Sequence, residues 1–101
     1  METNVTVFYT PDHLIGDVFF VKNVDSWLNQ HRDSYIKAFE FVTHMTGSKA
    51  AEEAFDITNN PYRETERAEI AGRNRSLSVG DLVLAGENLY YCDRFGWKEI
   101  S

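Results

Sequence analysis

The stretch RSLSVGDLVLAGENLYYCDRFGWKEI, Arg75 to Ile100, decides the fold. Turn-forming residues stand at Gly80-Asp81, at Gly86-Glu87-Asn88 and at Asp93-Arg94-Phe95-Gly96, and a short apolar or aromatic run follows each. Short runs of strand formers separated by Gly, Asn and Asp turns are the signature of an antiparallel meander. The spacing predicts strands at Leu82-Val83-Leu84, at Leu89-Tyr90-Tyr91-Cys92 and at Trp97-Lys98-Glu99-Ile100. Successive strand side chains point to opposite faces, so Leu89 and Tyr91 belong on one face of the sheet and Tyr90 and Cys92 on the other.

Upstream of the meander, Tyr62 to Arg75 (YRETERAEIAGRNR) carries charges of both signs and few large apolar groups. It reads as a long connection with one or two helical turns ending at Gly72. Before it, Thr46-Gly47-Ser48 stops one helix and starts another, Gly47 supplying a left-handed cap and Ser48 the next N-cap. That second helix runs from about Lys49 to Asn59 with Ala51, Ala54, Phe55 and Thr58 inward, and Pro61 forces the chain out of it. Farther upstream, Val24, Trp27, Leu28, His31, Tyr35, Ala38, Phe39, Val42 and Met45 recur at helical spacing. This predicts one long amphipathic helix capped by Asn23, Asp25 or Ser26, with Asp33 and Lys37 as an outward i,i+4 pair. At the start, Asn4 to Tyr9 alternates β-branched and aromatic residues as a strand does, and Val18-Phe19-Phe20-Val21 predicts a second strand across a loop at residues 10–17. The expected class is α+β: one domain over residues 1–101, order ββααβββ. An N-terminal hairpin and a C-terminal three-stranded meander would form an antiparallel sheet packed by one long and one shorter helix.

Composition bounds the function. A chain of 101 residues forms one domain and buries roughly two-thirds of its surface on folding. Its formal charge of -6 argues against direct nucleic-acid binding, which draws affinity from Lys and Arg set against phosphates. The basic residues that do gather along the chain, Arg63, Arg67, Arg73 and Arg75, alternate with Glu64, Glu66 and Glu69, so an internally paired, solvated loop is expected there rather than a phosphate site. One cysteine, Cys92, rules out an intrachain disulfide and fits a reducing cytosol. The start METNVTVFYT lacks the basic and apolar regions of a signal peptide, and no apolar run reaches the ~20 residues that span a bilayer. A soluble, cytoplasmic protein without membrane association is expected.

No catalytic constellation emerges. Cys92 as a nucleophile needs a base and a thiolate-favouring environment, and His13, His31 and His44 are scattered. Neither metal-ligand spacing nor a glycine-rich phosphate loop is present, so no enzyme activity, cofactor or metal is expected. Ser76, Ser78, Gly80 and Asp81 suit turn chemistry, and Asp93 can fold its carboxylate onto the amides of the Arg94-to-Gly96 turn. Tyr90, Tyr91, Asp93, Arg94 and Trp97 form the candidate partner-binding set, because exposed Tyr, Trp and Arg anchor protein interfaces.

The segment SLSVGDLVL followed by LYYCDRFGWKEI resembles the YodL-like domain family of bacteria and their mobile elements. The residues that carry the resemblance are Ser76, Leu77, Ser78, Val79, Asp81, Tyr90, Tyr91, Asp93, Gly96 and Trp97, with AFDITNNP as lead-in. It covers residues 50–101 and leaves residues 1–46 outside. The chain departs from the commoner pattern at Gly80, where serine is usual, at Cys92, where an aliphatic residue is, and at Trp97, where phenylalanine is. The family has no assigned activity; the resemblance implies a setting of plasmids, conjugative elements and phages, whose small accessory proteins often act by binding host or element proteins.

A non-enzymatic accessory protein that docks on such a protein is therefore the expected function. The alternative is an acidic nucleic-acid mimic inhibiting a host nuclease or defence complex, of anti-CRISPR or anti-restriction type, motivated by the charge of -6. Charge density disfavours the expected long helix as that mimic. Asp33 and Glu40 would lie about 10 Å apart along it, whereas duplex DNA carries a charge every ~1.7 Å of axis.

Overall fold

The chain runs β1 (Thr3–Tyr9), α1 (Val24–His31), β2 (Ile36–Thr43), α2 (Ser48–Asn59), α3 (Glu64–Ile70), β3 (Leu82–Ala85), β4 (Asn88–Asp93) and β5 (Gly96–Ile100). Short 3-10 turns occupy Asp12–Leu14, Asp17–Phe20, Arg32–Ser34 and Pro61–Arg63. The structure is a computed structural model and describes residues 2–100. The strands form one sheet in the order β2-β1-β3-β4-β5, and every neighbouring pair is antiparallel. The expected α+β class with a five-stranded antiparallel sheet is thus realised, and the meander stands where the turns of the last quarter place it.

The first half is built differently from expectation. Val18-Phe19-Phe20 is a 3-10 turn rather than a strand, with Val18 buried and Phe19 and Phe20 exposed. The reason is topological: both edges of β1 are taken, one by β2 and the other by β3, so no place beside it remains. The long helix is likewise two elements. Asn23 caps its first part by accepting the Ser26 amide at 3.0 Å, and the helix ends at His31. The chain then tightens through Arg32–Ser34, and Tyr35 turns out to an extended ψ of 146°. Residues 36–43, IKAFEFVT, are rich in the β-branched and aromatic types that suit a pleated surface. Phe39 and Phe41 alternate inward opposite Val7 and Val5. Pairing with β1 overrides a helical period that the same residues also satisfy. With the helix gone, Lys37 pairs with Glu40 at 3.1 Å and not with Asp33.

Two layers of helix cover the two faces of the sheet. On one face Val5, Val7, Phe39, Val83, Ala85, Tyr90 and Cys92 pack with Ala50, Ala51 and Ala54 of α2 and with Ala71. The alanines let α2 sit close to the strands, and Val5, Val7 and Val83 are fully buried. On the other face Val24 and Leu28 of α1 cover Leu82, Leu89 and Tyr91. The alternation read along β4 therefore holds. α2 begins where expected, but Gly47 itself is the cap residue at φ 58°, and no side chain completes the cap. The charged connection contains α3, followed by Gly72 at φ 59°.

Candidate functional site

The segment from Arg75 to Asp81 is first a staple. Asp81 is fully buried and its carboxylate accepts the Thr10 amide and the Ser78 amide at 2.8 Å each, so it bridges the end of β1 to the turn that leads into β3. Arg75 closes the arrangement with two hydrogen bonds to the same carboxylate and lays its guanidinium over the Tyr9 ring, 4.1 Å from the centroid. Hydrogen bonding to Asp81 raises the Arg75 pKa further, so it stays charged. Ser76 donates to the Thr58 carbonyl at 2.8 Å, the Leu77 amide donates to Thr58 Oγ1 at 3.0 Å, and Asn59 donates to the Leu77 carbonyl at 2.9 Å. Side chains of α2 thus satisfy a backbone segment that has no strand partner.

Arg63 and Arg67 of the connection also turn back on the chain, whereas Arg73 is exposed. Arg63 is ion-paired with Glu53, Asp56 and Glu66, and Arg67 donates to the Thr58 and Asn74 carbonyls at 2.8 and 3.0 Å. This is the internally paired reading of the segment. It also takes three carboxylates out of any acidic face, because they converge on one guanidinium.

The candidate partner-binding residues separate in space. Tyr90 and Tyr91 are core residues, 5% and 1% exposed, on opposite faces of β4, so neither anchors a surface patch. They were candidates because exposed tyrosine marks interfaces, but β4 is covered by helix on both faces. Tyr90 hydrogen-bonds Glu99 at 3.2 Å, and burial pushes the hydroxyl of Tyr91 well above its ordinary pKa. Asp93 and Arg94 are exposed at the β4–β5 turn, where Asp93 accepts the Arg94 amide at 2.8 Å as expected. Trp97 is half-buried against Phe55, rings edge to face at 6.5 Å, and donates its indole N–H to Glu52 at 2.9 Å. Asp93, Arg94 and Trp97 border one hollow of about 280 Å³ with Cys92 and Phe55.

Cys92 itself is 4% exposed, and burial pushes its thiol up to about 12 with Asp81, Glu52 and Asp93 adding to the rise. That is the opposite of the thiolate-favouring setting a nucleophile requires.

A larger cleft, of about 480 Å³, opens on the other side of the same turn. Its walls are the 3-10 turn with Phe19, Phe20 and Lys22 on one side and Asp93, Arg94 and Lys98 on the other, with Val79 and Tyr91 between. Arg94 clasps the two walls by donating to the Phe19 carbonyl. Phe20 is 82% exposed, Phe19 47%, and Phe95, next to Arg94 at the tip of the turn, 100%. Phe19, Phe20, Lys22, Phe95 and Lys98 escaped the sequence reading. The signal was the adjacent pair Phe19-Phe20: in the strand expected there, two neighbouring rings cannot both turn inward.

The fold and cleft define a small α+β domain with a helix-covered antiparallel sheet and an aromatic-rimmed, basic-lined hollow at one end of the meander. Comparison with protein-family models, curated proteins and solved structures finds no match to this chain. Among the described residues no helix is long and apolar enough to cross a membrane, and no cluster of three or more His, Cys, Asp or Glu is placed to hold a metal ion.

Proposed function

We propose that the protein is a non-enzymatic binding module that docks on a host or element protein through the cleft between the 3-10 turn at Asp17–Phe20 and the β4–β5 turn. The observation that carries the reading is the pair Phe19 and Phe20, both exposed, lining a cleft of about 480 Å³ whose walls Arg94 joins, with the fully exposed Phe95 beside Arg94 at the tip of the adjoining turn. Lone exposed apolar residues are ordinary, but aromatic rings gathered with arginine at a concave surface are the composition of interface anchors. The setting, a cytoplasmic accessory protein of a phage, plasmid or conjugative element, is supported by the resemblance of residues 50–101 to YodL-like domains. The nucleic-acid-mimic alternative gains nothing from the convergence of Glu53, Asp56 and Glu66 on Arg63.

The test is affinity capture from bacterial lysate, followed by reconstitution with the captured protein in purified form. The expected result is a complex formed by the wild type and by Tyr62→Ala, which removes an equally exposed ring from elsewhere on the surface, and lost in Phe20→Ser/Phe95→Ser and in Arg94→Ala. Equal binding by all four proteins would remove the cleft from consideration.

A further inference from the structure

The cleft differs from the rest of the molecule in charge. The chain carries a formal charge of -6, yet Lys22, Arg94 and Lys98 line the cleft against a single lining carboxylate, Asp93. Asp93 turns Oδ1 back onto the Arg94 amide at 2.8 Å. Among the described residues none of the three cations takes part in an ion pair, so their charge is open to an incoming anion. Arg94 gives one donor to the Phe19 carbonyl, and a guanidinium has five. The three residues are far apart in sequence, which is why no basic run announces them. Folding brings them to one hollow beside two exposed phenylalanines.

We propose that the occupant of the cleft is a short acidic segment of the protein partner: an apolar side chain set against Phe19 and Phe20, with flanking carboxylates meeting Lys22, Arg94 and Lys98. This rests on the docking reading above and adds the chemistry of the partner. Single-stranded nucleic acid offers the same pairing of anion with stackable ring. Every nucleotide beyond the cleft, however, brings another negative charge toward a surface of net negative charge. A peptide brings carboxylates only where the cations are, so the count of charges matches a peptide better than a polyanion.

The experiment is selection of displayed random peptides on the purified full chain, followed by titration of a synthetic copy of the most enriched one. The expected result is enrichment of Asp and Glu on both sides of an aromatic or branched apolar residue. Affinity for the synthetic peptide should fall about tenfold or more in Lys22→Glu/Lys98→Glu and decline as salt is raised. Both lysines are exposed, so the variant should keep the wild-type circular dichroism spectrum and melting curve. Enrichment of neutral or basic peptides, indifference to the charge reversal, failure to retain any peptide, or tighter binding of a labelled oligothymidylate would each overturn the acidic-segment proposal. The docking reading is judged separately: retained peptides that still need Phe20 and Phe95 leave it standing, and peptides that need neither remove it as well.

Discussion

Arg75 holds Asp81 through two parallel hydrogen bonds, Nη1 to Oδ2 at 2.7 Å and Nη2 to Oδ1 at 2.8 Å, and the aspartate is fully buried. Two backbone amides, from Thr10 and Ser78, complete the carboxylate's partners. A buried charge with its hydrogen bonds filled is tolerable; the same charge without its counter-ion is not. Because the carboxylate joins β1 to the entrance of β3, the pair fixes the register of the sheet's centre to the loop that carries Gly80.

Arg75→Met should therefore cost about 3–5 kcal/mol in urea denaturation, since it strands the buried carboxylate. Asp81→Asn should also destabilise, because an amide has one oxygen where the carboxylate uses two. The double variant should cost less than the sum by about 1–3 kcal/mol, the coupling expected of residues in one network. Strict additivity across the cycle would show that the pair does not act as a unit.

Gly80 sits at φ 96°, and a Cβ built on it would lie 2.5 Å from Val18 Cγ1 and 3.0 Å from Thr10 Oγ1. Any residue with a Cβ would meet both obstacles. Gly80→Ala should lower stability by more than about 1 kcal/mol, and adding Val18→Ala should recover only part of the loss, because it removes the Cγ1 contact but leaves Val18 Cβ 2.8 Å away and the backbone strain in place. Gly16→Ala is the contrasting control. With φ at -66° and nothing within 4 Å, it should be neutral or stabilising by about 0.4–1 kcal/mol. Thermal melts of the variants distinguish these outcomes; a harmless Gly80→Ala would contradict the close approach to Val18.

The contrast between the two halves of the chain has a physical cause. In residues 75–100 the turns are short and glycine-bearing, and strands joined by such turns pair with their sequence neighbours, so local signals determine the meander. In residues 1–46 the partner of β1 is β2, and a helix lies between them. The strand formers in IKAFEFVT also fit a helical period, so local pattern alone leaves two readings and pairing with the edge of β1 decides. The site was legible to the same degree. The exposed turn position of Asp93 and Arg94 follows from local turn residues, while the burial of Tyr90 and Tyr91 does not, because the helices covering both faces of β4 come from distant sequence. Lys22 and Lys98 share no sequence neighbourhood at all.

Burial raises the Cys92 thiol from its ordinary 9.0 to about 12 and the Tyr9 hydroxyl from 10.0 to about 12. A raised folded-state pKa means that the unfolded chain loses the proton first. The stabilising contribution is therefore fully present below pH 9.0 and is lost as pH rises through 9.0 toward about 12, Tyr9 joining from 10.0 upward. Denaturation midpoints should fall steadily across that window. Cys92→Val conserves bulk and should flatten the part between 9.0 and 10.0 while leaving the later fall, to which Tyr35, Tyr90 and Tyr91, also raised by burial, contribute with Tyr9. The folded thiol should also resist aromatic disulfide reagents near neutrality and react promptly in urea. Prompt reaction of the native protein would place Cys92 at the surface instead of in the core.

The exposed rings in and beside the cleft should behave unlike the indole across the turn. Phe20 and Phe95 are 82% and 100% exposed, so Phe20→Ser and Phe95→Ser should each change stability by no more than about 0.5 kcal/mol. Trp97 packs edge to face on Phe55 and donates to Glu52, so Trp97→Ala removes an aromatic pair worth about 0.5–1.5 kcal/mol together with the area that the indole covers. Its cost should be clearly the largest of the three in urea denaturation, and Trp97→Phe should recover the packing but not the hydrogen bond. If Phe20→Ser instead costs as much as Trp97→Ala, the phenylalanine is part of the core and cannot also be the anchor for a partner.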